Sequence, residues 1–176
     1  MKKILIAAAF ILLFGLFSGL FFSTELSEEN KSYLSALLAS SINDPSPGFF
    51  NVLLSSLFSN FLLAALVLSA ALSKLLCPLP FIILWYKCFT VGFCSGLVYL
   101  SEIDKAFLIS LFRIIPPAAF IIPAFAILSA TVFIYSQNEF AKSKRPSREK
   151  KDLQTLAFIS LAAIAAGCIT EAICSL

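Results

Sequence analysis

Five long apolar stretches dominate the chain, and short polar segments separate them. They run over residues 4–22, 49–72, 79–100, within 106–135, and 156–174. An α-helix needs about 20 residues to cross the hydrocarbon core of a bilayer, so each stretch predicts one crossing. Only residues 23–48 and 137–153 form longer connections. The expected fold is all-α: a polytopic bundle of about five transmembrane helices forming one integral membrane domain over residues 1–176.

The fourth stretch breaks this regularity. RIIPPAAFIIP, residues 113–123, sets one arginine and three prolines inside an apolar run. Proline has no backbone donor and clashes with the preceding turn, but fits the first turn of a helix. Pro116 and Pro117 therefore predict a helix start, with residues 106–114 forming a separate short helix at the outer interface or re-entering the membrane, and 117–135 the span. Pro123 bends that span, and a neighbour must satisfy the carbonyl it frees.

Within residues 23–48, Leu34, Leu37 and Leu38 recur at helical spacing and predict a short helix on the membrane surface. Asp44-Pro45-Ser46-Pro47-Gly48 ends it.

Charge orients the bundle. Lys2, Lys3, Lys74, Lys142, Lys144, Arg145, Arg148, Lys150 and Lys151 share one side under strict alternation, and Lys31 and Lys105 lie opposite. Positive residues favour the cytoplasmic side. The expectation is a cytoplasmic N-terminus, an outer segment at 23–48, a basic cytoplasmic loop at 137–153 and an outside C-terminus. The apolar run after Lys2 and Lys3 is too long for a secretory signal and lacks a small-x-small cleavage site, so it is expected to be retained. The basic run KSKRPSREKK, residues 142–151, carries no aromatic residue for base stacking, so it fits topology and lipid contact rather than nucleic acid.

Composition agrees with the pattern. The chain is 60% hydrophobic and 13% charged, with a mean hydropathy of +0.96, whereas soluble domains are about 25% charged. It contains no histidine, its five cysteines show no CxxC spacing, and no span holds two acids. A nucleophile would want a placed base, and a metal site clustered ligands. We therefore expect no enzyme, cofactor or metal, and read the cysteines as packing residues.

Helices in lipid approach closely through small residues. GLFSG, with Gly15 and Gly19, and GFCSG, with Gly92 and Gly96, predict packing faces that could meet each other. In the fifth span Ser160, Ala163, Gly167, Thr170, Glu171 and Cys174 share one face. In the second, Asn51, Ser55, Ser59, Ser69 and Ser73 align as interhelical hydrogen-bonding groups, worth about 0.6 kcal/mol each. Lys87 lies within reach of the cytoplasmic interface and is expected to snorkel there. Arg113 and Glu171 share a depth, which predicts an ion pair at the outer boundary.

The order KCFTVGFCSGLVYL followed by RIIPPAAFIIPAFAILSATVFIYS, with FSNFLLAALVLSA and Asn60 earlier, resembles the stage II sporulation protein M family. That family carries a "GF-x-x-GF" segment before one of the form "ILP" and then "IIPA". The chain departs from some relatives in lacking a Pro-His-Gly element, and Ala118 and Ala119 stand where polar residues are expected. The resemblance implies a non-enzymatic scaffold of the sporulation septum, in the cell membrane. Its implied partners are two wall hydrolases, the stage II sporulation proteins D and P, which thin septal wall for engulfment of the forespore. The competing class is a transporter or channel component, suggested by broken helices and intramembrane charge. A five-span chain would then act as an oligomer or within a larger complex.

Overall fold

The computed structural model describes residues 2–43, 48–72, 76–100, 113–140 and 147–174. Six helices appear among them: α1 Lys2–Thr24, α2 Glu28–Asn43, α3 Phe49–Ser69, α4 Leu79–Leu100, α5 Ile115–Phe140 and α6 Ser147–Cys174. Five are long and apolar enough to cross a membrane, with spans at Ile4–Thr24, Phe49–Ser69, Leu79–Leu100, Ile115–Gln137 and Lys151–Cys174.

The sixth, α2, is the helix predicted between the first two spans, and at 16 residues it extends well beyond the three leucines that predicted it. Its two glutamates, Glu28 and Glu29, sit in the first turn, where they complement the positive end of the helix dipole. It rests on α4.

The proline pair does what its chemistry demands. Arg113 and Ile114 form a turn of π-helix, and α5 begins at Ile115, so Pro116 and Pro117 fall in its first turn, where a missing donor costs little. The helix starts two residues before the expected boundary and continues to Phe140. Pro123 lies inside α5 on an exposed face. The separate helix expected over 106–114 lies mostly outside the described residues. The basic loop expected over 137–153 is shorter than drawn, because residues 147–153 already belong to α6. Polar residues at that end do not stop a helix, since its backbone bonds are internal.

Contacts give the relative directions. Gly15 and Gly19 of α1 meet Trp85 to Phe93 of α4 in rising order, so these two helices run parallel. Ser129 of α5 donates to the carbonyl of Pro80 in α4 at 3.0 Å, while Phe81 stacks near Phe133 with ring centroids 4.8 Å apart and Lys87 lies over Phe125. Rising numbers in α4 thus meet falling numbers in α5, an antiparallel pair. Ser56 against Glu171 and Asn60 against Cys168 make α3–α6 antiparallel too. This is the pattern that five alternating crossings require.

The central helix is α5, which touches all four other spans. Around it lies a core including Phe125, Leu128, Leu84, Val67, Ile164, Cys88 and Cys168, all inaccessible to solvent. The outer perimeter is equally apolar: Phe10 is 71% exposed, Phe17 69% and Phe58 73%. A surface so apolar is stable only against lipid, which makes the molecule a multi-pass membrane protein.

Candidate functional site

Two seams hold the helices around a polar cavity, and they differ in kind. The α1–α4 seam is made of absence. A β-carbon added at Gly19 would overlap the carbonyl oxygen of Phe89, and one at Gly92 would overlap that of Leu16. At Gly15 it would lie 2.8 Å from Cys88 Cβ, and at Gly96 it would strike the Ser23 hydroxyl. The two GxxxG stretches therefore face each other as their spacing predicted. Ser23, fully buried, turns its hydroxyl onto the Leu20 carbonyl at 2.6 Å, so no polar group is stranded there.

The α3–α6 seam is held by a polar chain. Ser56 Oγ donates to Glu171 Oε2 at 2.5 Å. Asn60 Nδ2 donates to the Ser56 carbonyl at 2.9 Å and lies 3.3 Å from Ser56 Oγ and 3.4 Å from Cys168 Sγ. Because that carbonyl can only accept, the amide nitrogen must face it, which leaves Asn60 Oδ1 buried without a partner. One turn before Glu171 on α6, Gly167 receives Ile121 of α5: a β-carbon there would come within 2.5 Å of Ile121 Cγ1. Ala163, on the same predicted face, packs against the core.

Between α3, α4, α5 and α6 lies a cavity of about 790 Å³. Its wall includes Asn51, Ser55, Ser59 and Asn60 of α3, and Lys87, Thr90 and Cys94 of α4. Arg113 and Pro117, at the start of α5, and Glu171 of α6 complete it. Ligand sites commonly have about 300–1,000 Å³ of space.

Several expectations change here. Arg113 and Glu171 line the same cavity, yet among the described residues the ion pair within 4 Å is Glu28–Lys31. The expected Arg113–Glu171 pair is not made, because the carboxylate is turned to Ser56 on α3. Lys87 does not snorkel to the membrane surface. Its ammonium lies 5.9 Å from the centre of the Phe125 ring, a wholly buried side chain, and faces the cavity. Asn51, Ser55 and Ser59 line the cavity wall instead of bonding to another helix, and Ser69 bonds to Leu66 of its own helix. Ser73 lies outside the described residues.

Sequence reasoning found Asn60, Lys87, Arg113 and Glu171 singly but missed Ser56, which joins two of them. The signal was present: Ser56, Asn60, Ala64 and Val67 recur at helical spacing and are the buried positions of α3. Choosing Ser55 and Ser59 as the bonding face placed the polar stripe one residue away.

A family profile described as "Stage II sporulation protein M" matches residues 7–176. No curated protein and no solved structure matches the chain.

Proposed function

The chain belongs to the stage II sporulation protein M family, and from that membership we propose that it is a membrane scaffold which anchors peptidoglycan-degrading partners at the sporulation septum during engulfment. The family, by its name, points to a sporulation-related membrane protein; the scaffold role, the septal location and the hydrolase partners are our reading.

The observation that carries it is the match over nearly the whole chain. One feature of the fold supports it. The helix α2 lies outside the five spans and keeps Tyr33 66% exposed and Leu37 49% exposed. On this reading α2 lies outside the cell, the side the charge bias favours, and offers its exposed face to the wall, where a hydrolase would work. Partners of this scaffold are expected to resemble the stage II sporulation proteins D and P.

The test is a pull-down from membranes of sporulating cells, with the protein tagged at its N-terminus. Co-recovery of two wall hydrolases, lost on replacing residues 28–43 with an unrelated polar helix, is the expected result. Recovery of neither, in cells that engulf normally without the protein, overturns the scaffold reading.

A second reading, a transporter subunit, draws on the polar cavity inside the bundle. It expects Lys87 or Arg113 substitutions to alter solute flux while hydrolase capture persists.

A further inference from the structure

We propose that the cavity between α3, α4, α5 and α6 binds the phosphate-bearing headgroup of an anionic lipid, admitted sideways from the bilayer between α3 and α4. This is independent of the scaffold reading and concerns a site that reading does not use.

The charges make the case first. Lys87 and Arg113 both line the cavity, and neither has a carboxylate within 4 Å among the described residues. Lys87 lies eight residues into α4 and thirteen from its far end, about 12 Å and 20 Å along the helix axis. A cation held that deep without a carboxylate in contact is costly, and such residues in spans mark ligand or ion sites. Glu171 lines the same cavity, where its carboxylate accepts from Ser56 and offsets one of the two charges. Two cations and one carboxylate leave the cavity with a formal excess of one positive charge, and an anion relieves it.

The uncharged wall fits the same ligand. Ser55 and Ser59 lie on it one helical turn apart, both exposed, and make no side-chain hydrogen bond among the described residues. Each hydroxyl is a free donor to a phosphate oxygen. Asn60 Oδ1, buried and unpartnered, supplies an acceptor for a headgroup hydroxyl or a bound water. Asn51 and Arg113 sit at the α2-side ends of their helices, where headgroups lie.

The source of the anion follows from the opening. Leu62 on α3 and Tyr86 on α4 belong to the same wall and are 54% and 50% exposed on the perimeter of the bundle. Val91, Ile121 and Ile122 continue the apolar part. A polar chamber with an apolar lateral margin suits an amphiphile, whose acyl chains stay in the membrane while its head enters. A free phosphate ion would find the cations but gain nothing from that margin.

The experiment uses the full-length protein reconstituted in vesicles of equal parts phosphatidylcholine and phosphatidylglycerol, extracted mildly and read by native mass spectrometry for retained lipid. Wild type is expected to retain phosphatidylglycerol about 10-fold over phosphatidylcholine, or about 1.4 kcal/mol. Lys87→Met and Arg113→Gln should each reduce that preference to about 2-fold or less, and Lys87→Arg should keep it. A Ser55→Ala, Ser59→Ala double variant, which removes no bond within the protein, should lower it about 3-fold with an unchanged melting temperature. This variant guards against misfolding of the cation variants. Neutralising Lys142, Lys144, Arg145 and Arg148 together should leave the preference intact.

Equal retention of both lipids overturns the proposal, as does a preference that survives the Lys87 and Arg113 substitutions. Loss of preference only in the basic-segment variant assigns the effect to surface charge and overturns it as well. If millimolar inorganic phosphate displaces the lipid and stabilises the protein equally, the site takes a soluble anion and the membrane source is wrong.

Discussion

Helix α4 has two faces that solve opposite problems. Toward α1 it presents Cys88, Gly92 and Gly96, with backbone against backbone and no space for a methyl group. Toward α3, α5 and α6 it presents Lys87, Thr90 and Cys94 around about 790 Å³ of open space. One face is closed because lipid gives helices no hydrophobic reason to associate, so dispersion at close range must hold them. The other is open although closing it would be easy with larger apolar residues.

The sharpest way to break this comparison is to fill the closed face. Gly92→Leu would drive a side chain into the Leu16 backbone, an atom group that cannot swing aside. We expect a loss of at least about 3 kcal/mol, above the usual range for overpacking because the whole helix must move. The readout is a fall in the melting temperature in detergent, with failure to accumulate in membranes at the extreme. Gly48→Ala serves as the control, since nothing lies within 4 Å of that position. A Gly92→Leu protein as stable as wild type would show that the seam does not hold the bundle together.

The polar seam should respond less. Ser56→Ala removes the hydroxyl that joins Glu171 to Asn60. Hydrogen bonds to charged groups contribute about 1.5–3 kcal/mol in water-soluble proteins, but interhelical bonds in membranes average less. A loss of about 1–2 kcal/mol is expected. Gly167→Ala should cost about 1 kcal/mol, because its neighbour is the movable tip of Ile121 rather than backbone. A double-mutant cycle of Ser56→Ala with Glu171→Ala should show coupling, since each removes the same bond.

These contrasts explain what could be read from the sequence. The spans were legible because lipid demands about 20 apolar residues and little else. The glycine seam was legible because small residues four apart have one main use in a membrane helix. The start of α5 was legible because proline is tolerated in few places. The cavity was not. Lys87 could have reached a membrane surface or the interior with the same side chain, and only the position of Phe125 and the neighbouring helices decides between them. Glu171 had Arg113 and Ser56 within its depth, and charge alone favoured the wrong partner. Choosing among partners at equal depth requires the rotation of each helix about its axis, and apolar residues on every side of a span carry little information about that rotation.

Removing the charge from the open face should have the smallest effect on stability. Lys87 contacts a buried ring but no carboxylate at ion-pair distance. A charge held out of water without a carboxylate in contact carries a desolvation cost that an apolar side chain of similar length does not. Lys87→Met is therefore expected to change thermal stability in lipid-free detergent by less than about 1 kcal/mol, with any shift upward. A large destabilisation would mean that Lys87 is structural and the hollow incidental.

The comparison can also be sharpened without perturbing the fold, because each face of α4 carries one cysteine. Cys88 is wholly buried in the seam, while Cys94 lines the cavity and is partly exposed. Thiol reagents attack the ionised thiol, which forms where water reaches it. In variants retaining one cysteine each, with the other four replaced by alanine or serine, a membrane-permeant maleimide should label Cys94 at least about 10-fold faster than Cys88. If the hollow takes an anionic lipid, phosphatidylglycerol should slow labelling at Cys94 and leave Cys88 unchanged, since only one of the two thiols shares a chamber with Lys87 and Arg113. Equal rates at both positions would mean that the hollow is dry, and a dry hollow could not hold two unpaired cations.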